Sequence, residues 1–447
     1  MGLSALWRGA TDGNTARGRT AMLMSATAAG QLIALAVSPI LARLLGPAAF
    51  GTFGVYLAVL GSLGAAASWR LGLAVPVPTD DREASAVVAA GVLATLVSTA
   101  LVTVAVALAG GWIATDLLGA PAVSPLLWFV PLSILGVGLS DVLSGWCLRH
   151  REFPVLVRQR IVRSVGTSSW QVVHAVVSRS SDFALVVGDA FGRLGSVAAM
   201  ARLILRAERA RSDRVSWAAV RSAFRKHRAF ALVSTPSTLV NAVGQWAPVF
   251  LLTLWWGPVS AGLYVIGQRV IGVPIGLLGD SAGQVYIAEL AANARSDPQA
   301  MQPLFASTAK ALAQLAAATA VGLLLLAPIA FRVAFGAEWS EAGVMVRWQS
   351  VALAIQIVAI PMAQTLVVLR FPRRQLAWDI TRLLAIGASF YVAQRLALSA
   401  LDAVAVHGVV TAVLYLALVW LSWAAVRDRG RGPTDAESSS DGLRFAP

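Results

Sequence analysis

The sequence predicts an all-α, polytopic integral membrane protein with about twelve transmembrane helices. These are arranged as two six-helix lobes around a central cavity. Three observations carry this reading. The 447 residues are 57% hydrophobic and only 13% charged, whereas soluble domains average about 45–50% apolar and about 25% charged. The apolar residues gather into runs close to the roughly 20 needed to cross a hydrocarbon core about 30 Å thick. The basic residues, 36 Lys and Arg against 22 Asp and Glu, fall mostly between alternate runs, as the positive-inside rule requires.

Taken in order, residues 1–20 form a cytoplasmic segment with Arg8, Arg17 and Arg19 ahead of the first run. No small-residue cleavage site follows a short apolar core, so the first helix reads as retained rather than as a removable signal. Residues 21–205 then hold six spans, at about 21–44, 51–69, 84–108, 126–148, 160–178 and 183–205. Residues 206–228 are a basic cytoplasmic linker with eight Arg and Lys between Arg206 and Arg228. The linker reads either as plain connecting chain or as a short amphipathic helix with Val215, Trp217, Val220 and Phe224 on one side. Residues 229–426 hold six more spans, at about 229–255, 262–287, 306–331, 343–369, 376–397 and 402–425. The polar tail, 427–447, reads as disordered.

Charge placement orients the chain. Arg149, Arg151, Arg158, Arg160 and Arg163 fall between spans four and five, and Arg370, Arg373 and Arg374 follow span ten. Roughly 28 basic residues lie on this face and about 4 on the other, so both termini are cytoplasmic. A net charge of +14 spread over several short loops is a topology signal and a contact for anionic membrane lipids. It is not a nucleic-acid footprint, which would gather on one face or groove. One cysteine, Cys147, excludes an internal disulfide framework, and the four histidines have no metal-ligand spacing. Walker A, Rossmann and zinc signatures are missing, so no cofactor and no enzymatic chemistry are expected.

The two halves echo one another. Leu44-Leu45-Gly46-Pro47 leads to Gly51 and Phe53, and Trp255-Trp256-Gly257-Pro258 leads to Gly262 and Tyr264. Gly-Pro makes a tight outer turn because proline presets its backbone angle and cannot continue a helix. The glycine four residues after each proline permits close helix packing. Six spans per half keep the copies in the same orientation, a parallel repeat about the membrane normal.

Four segments carry a family resemblance: LARLLGPAAFGTFGVY at Leu41–Tyr56, WRLGLAVPVPTDD at Trp69–Asp81, the long run Ser234–Leu290, and FGAEWSEAG at Phe335–Gly343. In this order they resemble the oligosaccharide flippases of the multidrug/oligosaccharidyl-lipid/polysaccharide (MOP) exporter superfamily. The resemblance implies a bacterial inner-membrane protein that moves undecaprenyl-pyrophosphate-linked oligosaccharide outward for O-antigen, capsule or exopolysaccharide synthesis. It implies two lobes rocking about a cavity. Lipid-linked oligosaccharide is then the ligand, with polysaccharide polymerase and glycosyltransferases as partners. Many relatives carry an acid where this chain has Gly72, so ion coupling through that position does not carry over. A cation-coupled multidrug exporter of the same superfamily, and an enzymatic or non-transporting membrane component of glycan assembly, are the competing readings.

Ionisable groups inside spans are costly and are therefore candidate functional residues. Arg269, within I-G-Q-R-V-I-G-V-P, is the first candidate for holding pyrophosphate, and Arg70 near the inner end of span two is the second. Guanidinium pairs with phosphate through two parallel hydrogen bonds and keeps its charge. Asp189 and Arg193 stand four residues apart and pair on one helix face. Asp141 and Asp280, and Asp379 with Arg382, are acid or paired candidates for cavity lining or coupling. Asn241, Gln245 and Gln268 are amide candidates, for sugar hydroxyls or for helix–helix hydrogen bonds. Trp112, Trp246, Trp255, Trp256 and Trp339 read as an interfacial aromatic belt.

Overall fold

The computed structural model describes residues 16–178, 181–208 and 216–430, with backbone only at some helical positions, 273–282 among them. The first lobe contains α1 (Ala16–Gly64), α2 (Asp81–Trp112), α3 (Phe129–Arg149), α4 (Phe153–Ser178) and α5 (Ser181–Glu208). The short α6 (Trp217–Lys226) leads to the second lobe, formed by α7 (Thr235–Ser296), α8 (Met301–Phe335), α9 (Ser340–Val368), α10 (Pro372–Arg395) and α11 (Ala400–Gly430). No strand occurs among the described residues. Among the described residues, nine helical stretches are long and apolar enough to cross a membrane. Two of these, Ser25–Gly64 and Phe230–Gly272, bend in the middle and supply two crossings each. Helix α4 adds the twelfth crossing; its arginines keep it out of the apolar set.

The two bends are the repeated Gly-Pro turns. Gly46 has φ +72° and ψ 172°, and Gly257 has φ +83° and ψ 171°. Both lie in the left-handed region that glycine enters without a Cβ penalty. The proline that follows opens the next helical arm, where its missing N–H costs nothing. The arms after the bends then cross each other reciprocally. A Cβ on Gly51 would run into the Pro258 carbonyl, and a Cβ on Gly262 would run into the Pro47 carbonyl. The lobes therefore meet backbone to backbone at this end. Phe50 on Trp339, with ring centroids 5.2 Å apart, and the Arg43 guanidinium on the Val333 carbonyl at 2.8 Å complete the seam.

Glycines also set the packing inside the first lobe. Gly188 and Gly192 of α5 face the backbone of Gln171 and Thr167 on α4, with no room for a Cβ. This is the close approach that small residues allow between membrane helices. Gly195, one turn on, faces open space.

The charged ends lie opposite the bends. Arg149 pairs with Asp81 at 2.7 Å, and Asp80 caps α2 by accepting from the Arg82 N–H at 3.2 Å, so Asp80 and Asp81 are structural. The linker contains a helix, α6, that docks on the first lobe. Val220 and Ala223 are buried, Phe224 packs on Trp69, and Lys226 and His227 bind Glu83 at 2.8 and 3.1 Å. Trp217 remains 68% exposed, while Val215 lies outside the described residues. In the second lobe, Arg374 pairs with Asp428 at 2.9 Å. Helix α11 continues through Arg427 and Arg429 to Gly430. The expected disorder of the tail falls mostly on residues outside the described ones.

Candidate functional site

Between the lobes lies a cavity of about 840 Å³. The repeat builds two of its walls. Phe53 and Leu57 from the first copy, and Tyr264 and Gln268 at the equivalent positions of the second, all line it. The first arm of α1 adds Thr27 and Gln31, and α5 adds Asp189 and Arg193. From α4 come Gln159, Arg163, Thr167 and Gln171, a polar stripe spaced every four residues on one helix face.

The cavity is strongly cationic. Among the described residues, Arg160, Arg163, Arg193 and Arg269 line it, against one carboxylate, Asp189. That carboxylate is spoken for. The Arg193 Nε donates to it at 2.6 Å, and the Tyr56 hydroxyl, 2.5 Å from the Ser133 hydroxyl, donates to it at 3.4 Å. Arg269 reaches across the lobes to the Ala34 carbonyl at 3.3 Å. Arg160 is held by the Leu23 carbonyl at 3.0 Å and by the Thr27 hydroxyl. Each arginine at the bilayer centre costs about 2.5–3.5 kcal/mol by insertion scales. The four cavity arginines around the one acid among the described residues leave a surplus of positive charge that an anionic ligand would balance.

Of the residues singled out in sequence, Arg269, Asp189, Arg193, Gln245 and Gln268 line this cavity. The Asp189–Arg193 pair forms as expected, but at the cavity wall rather than as an isolated helix staple. Arg70 lies elsewhere. It sits at a break after the second arm of α1, with φ +58°, and its buried Nε has no hydrogen-bond partner among the described residues. Asp141 accepts from the Ser68 hydroxyl and sits against Gly72, so any side chain at position 72 would collide with its carboxylate. Asn241 donates to Asp379 at 3.0 Å and accepts from Gln245 at 2.9 Å, forming a structural amide chain beside the cavity. The side chain of Asp280 lies outside the described residues.

Two expectations are corrected. Arg160 and Arg163 are not loop charges: α4 begins at Phe153, which places both inside the helix and on the cavity wall. Charge counting hid them, although the stripe from Gln159 to Gln171 was a readable signal. Trp246 is not at the interface either: its indole lines the cavity and occupies the space left by Gly61. Trp339 is fully buried, whereas Trp112 is 60% exposed as a belt residue would be.

A smaller chamber of about 270 Å³ adjoins this cavity in the second lobe and shares Gln245, Tyr264 and Gln268 with it.

Solved structures share the fold across nearly the whole chain. An inward-facing multidrug resistance MATE family transporter of the MOP superfamily has a TM-score of 0.73 at 14% identity, covering 91% of this chain and 96% of that one. The lipid II flippase MurJ, in an inward closed conformation, has a TM-score of 0.70 at 12% identity, covering 92% and 90%. A MOP superfamily transporter from Pyrococcus furiosus, described by the reverse polarity of its binding pocket, scores 0.58 at 13% identity, covering 91% and 96%. No curated protein sequence matches. A family model described as polysaccharide biosynthesis protein matches residues 40–344. That match takes in both Gly-Pro turns and every cavity arginine, and on its strength the chain belongs to the polysaccharide biosynthesis protein family.

Proposed function

We infer that this protein is a flippase for undecaprenyl-pyrophosphate-linked oligosaccharide, carrying it from the inner to the outer leaflet by alternating access. The single observation that carries this reading is the cavity with four arginines and one carboxylate. A diphosphate supplies negative charge and paired acceptors to guanidinium groups that keep their protons at any physiological pH. Hydrogen bonds to charged groups are worth about 1.5–3 kcal/mol each. Two or three of them would hold a headgroup whose lipid tail stays in the bilayer.

The lobes touch at the Gly46 and Gly257 end, while the cavity walls reach towards the opposite end through Thr27 and Arg160. With the bends outside, this is an inward-open state ready to load from the cytoplasmic leaflet. Arg149, Lys226, Arg374 and Arg427 then lie on the cytoplasmic side of the inner membrane, as do both termini. The domain boundaries given above divide the rocking bodies. Glycosyltransferases would supply the ligand and a polymerase would consume it; the protein itself makes and breaks no covalent bond.

A multidrug exporter for cationic drugs would place carboxylates in the cavity, and here the charge is of the opposite sign. Reconstituted vesicles test the choice. Wild type is expected to move an undecaprenyl-pyrophosphoryl sugar to the opposite leaflet, and Arg269→Ala, inserted at equal level, is expected to lose this. Efflux of a cationic dye with no lipid movement would contradict the flippase reading.

A further inference from the structure

We propose that the chamber in the second lobe is a separate subsite for a sugar ring of the lipid-linked ligand, so that the headgroup lies across both lobes. On this arrangement the diphosphate sits on the arginines and the sugar is hydrogen-bonded by α9 and its neighbours. The proposal rests on the diphosphate reading of the main cavity and adds the second half of the ligand.

The chamber is built for hydrogen bonding. Gln349, Arg382 and His407 line it and are 5%, 6% and 5% exposed. The Arg382 Nε is buried with no hydrogen-bond partner among the described residues. The rest of that side chain is fixed: its guanidinium lies 5.0 Å over the Trp378 ring and donates to the Asn241 carbonyl at 3.3 Å. An unpartnered buried donor costs about 1–3 kcal/mol unless something binds it. Gln268 donates to Gln349 at 2.8 Å, Gln349 donates one of its two N–H groups to the Met345 carbonyl at 3.3 Å, and both side chains line this space. The polar part of the wall is thus amide, imidazole, hydroxyl and one guanidinium, beside Ala352, Ile360, Ile386 and Leu414.

The alternatives fit less well. A hydrocarbon tail would strand Gln349, His407 and the Arg382 Nε. A metal cation would meet no carboxylate, since none lines the chamber among the described residues. A second phosphate would find one arginine here but four next door. A sugar ring brings hydroxyls that both donate and accept, which is what paired amides need. The size agrees: at about 270 Å³ the chamber has about a third of the main cavity's 840 Å³, a space for one ring rather than for a chain. The shared wall at Gln245, Tyr264 and Gln268 puts this ring next to the diphosphate site.

The test compares two probes on the purified full-length protein in lipid nanodiscs: farnesyl pyrophosphate, and the same lipid bearing N-acetylglucosamine on its diphosphate. Wild type is expected to bind the glycosylated probe about tenfold tighter, since each tenfold corresponds to about 1.4 kcal/mol. Gln349→Ala and the less buried Gln356→Ala are expected to reduce that preference to about twofold or less while binding of farnesyl pyrophosphate stays unchanged, which also shows that the variants are folded. A preference that survives in both variants, or a parallel loss of both probes, would overturn the subsite. If wild type binds farnesyl pyrophosphate but gains nothing from the sugar, the subsite falls and the diphosphate site stands. If it binds neither, the flippase reading falls first.

Discussion

At the scale of single residues, the cavity arginines divide into held and available groups. Arg193 is tied to Asp189 at 2.6 Å, and Arg160 is tied to α1. On the diphosphate reading, Arg163 and Arg269 are the two that a phosphate would meet with least competition, since among the described residues Arg269 bonds only a backbone carbonyl, at 3.3 Å. Arg163→Ala and Arg269→Ala are each expected to lower transport at least tenfold, with protein level and thermal stability near wild type, as read in vesicles and by melting. Asp189→Asn should act differently. It removes the carboxylate that compensates Arg193, and breaking a buried pair costs about 3–5 kcal/mol where water is excluded. The loss here is expected to be smaller, because the pair borders the cavity, but a lowered melting temperature should be measurable. Arg269 was legible in sequence as a charge deep in an apolar run. Arg160 and Arg163 were not, because in a one-dimensional count an arginine at a helix start looks the same as a loop arginine. Only the helical register of Gln159, Arg163, Thr167 and Gln171 separates the two cases.

At the scale of elements, the repeated Gly-Pro turn does two jobs. Its glycine supplies the left-handed bend, and the glycine that follows the proline lets the opposite copy approach. Gly51→Leu and Gly262→Leu are expected to keep the lobes from closing at this end, because each side chain would meet a proline carbonyl of the other copy. Spin labels across the seam should report a longer distance than in wild type, and transport should fall. An unchanged distance distribution would contradict the seam. The docked linker helix predicts a contrasting result. Glu83 holds Lys226 and His227, yet Lys226 is 64% exposed. Exposed pairs contribute about 0–1 kcal/mol, so Glu83→Ala should shift stability by less than about 1 kcal/mol. The turns were legible because glycine and proline encode backbone geometry directly. That they touch each other was not, since one sequence carries the motif twice without saying which copy meets which. The amphipathic face of α6 was legible only in part: Val220 and Phe224 pack inward, Trp217 is exposed, and the partner Trp69 was visible only in three dimensions.

At the scale of the whole molecule, hydropathy and charge placement were enough to predict two six-span lobes, and the structure has them. The exception in detail is α4, whose arginines and amides lower its hydropathy because that helix faces polar space. A helix left out of the apolar set thus contributes a polar stripe to the cavity wall, and this departure from the expected pattern pointed to the candidate site. On the proposed alternating-access reading, rocking of the lobes would open the seam that now joins Arg43 to Val333. A bifunctional cross-link between Arg43→Cys and Val333→Cys, in a Cys147→Ser background, is expected to stop transport, and cleavage of the linker to restore it. The central claim is that the arginine cavity holds a diphosphate, and the most direct measurement is the affinity of purified protein for farnesyl pyrophosphate. Arg163→Ala and Arg269→Ala are each predicted to weaken binding by about ten- to a hundredfold, corresponding to the loss of a charged hydrogen bond of about 1.5–3 kcal/mol, whereas Arg70→Ala leaves it unchanged. Equal affinity in wild type and both cavity variants would contradict the claim.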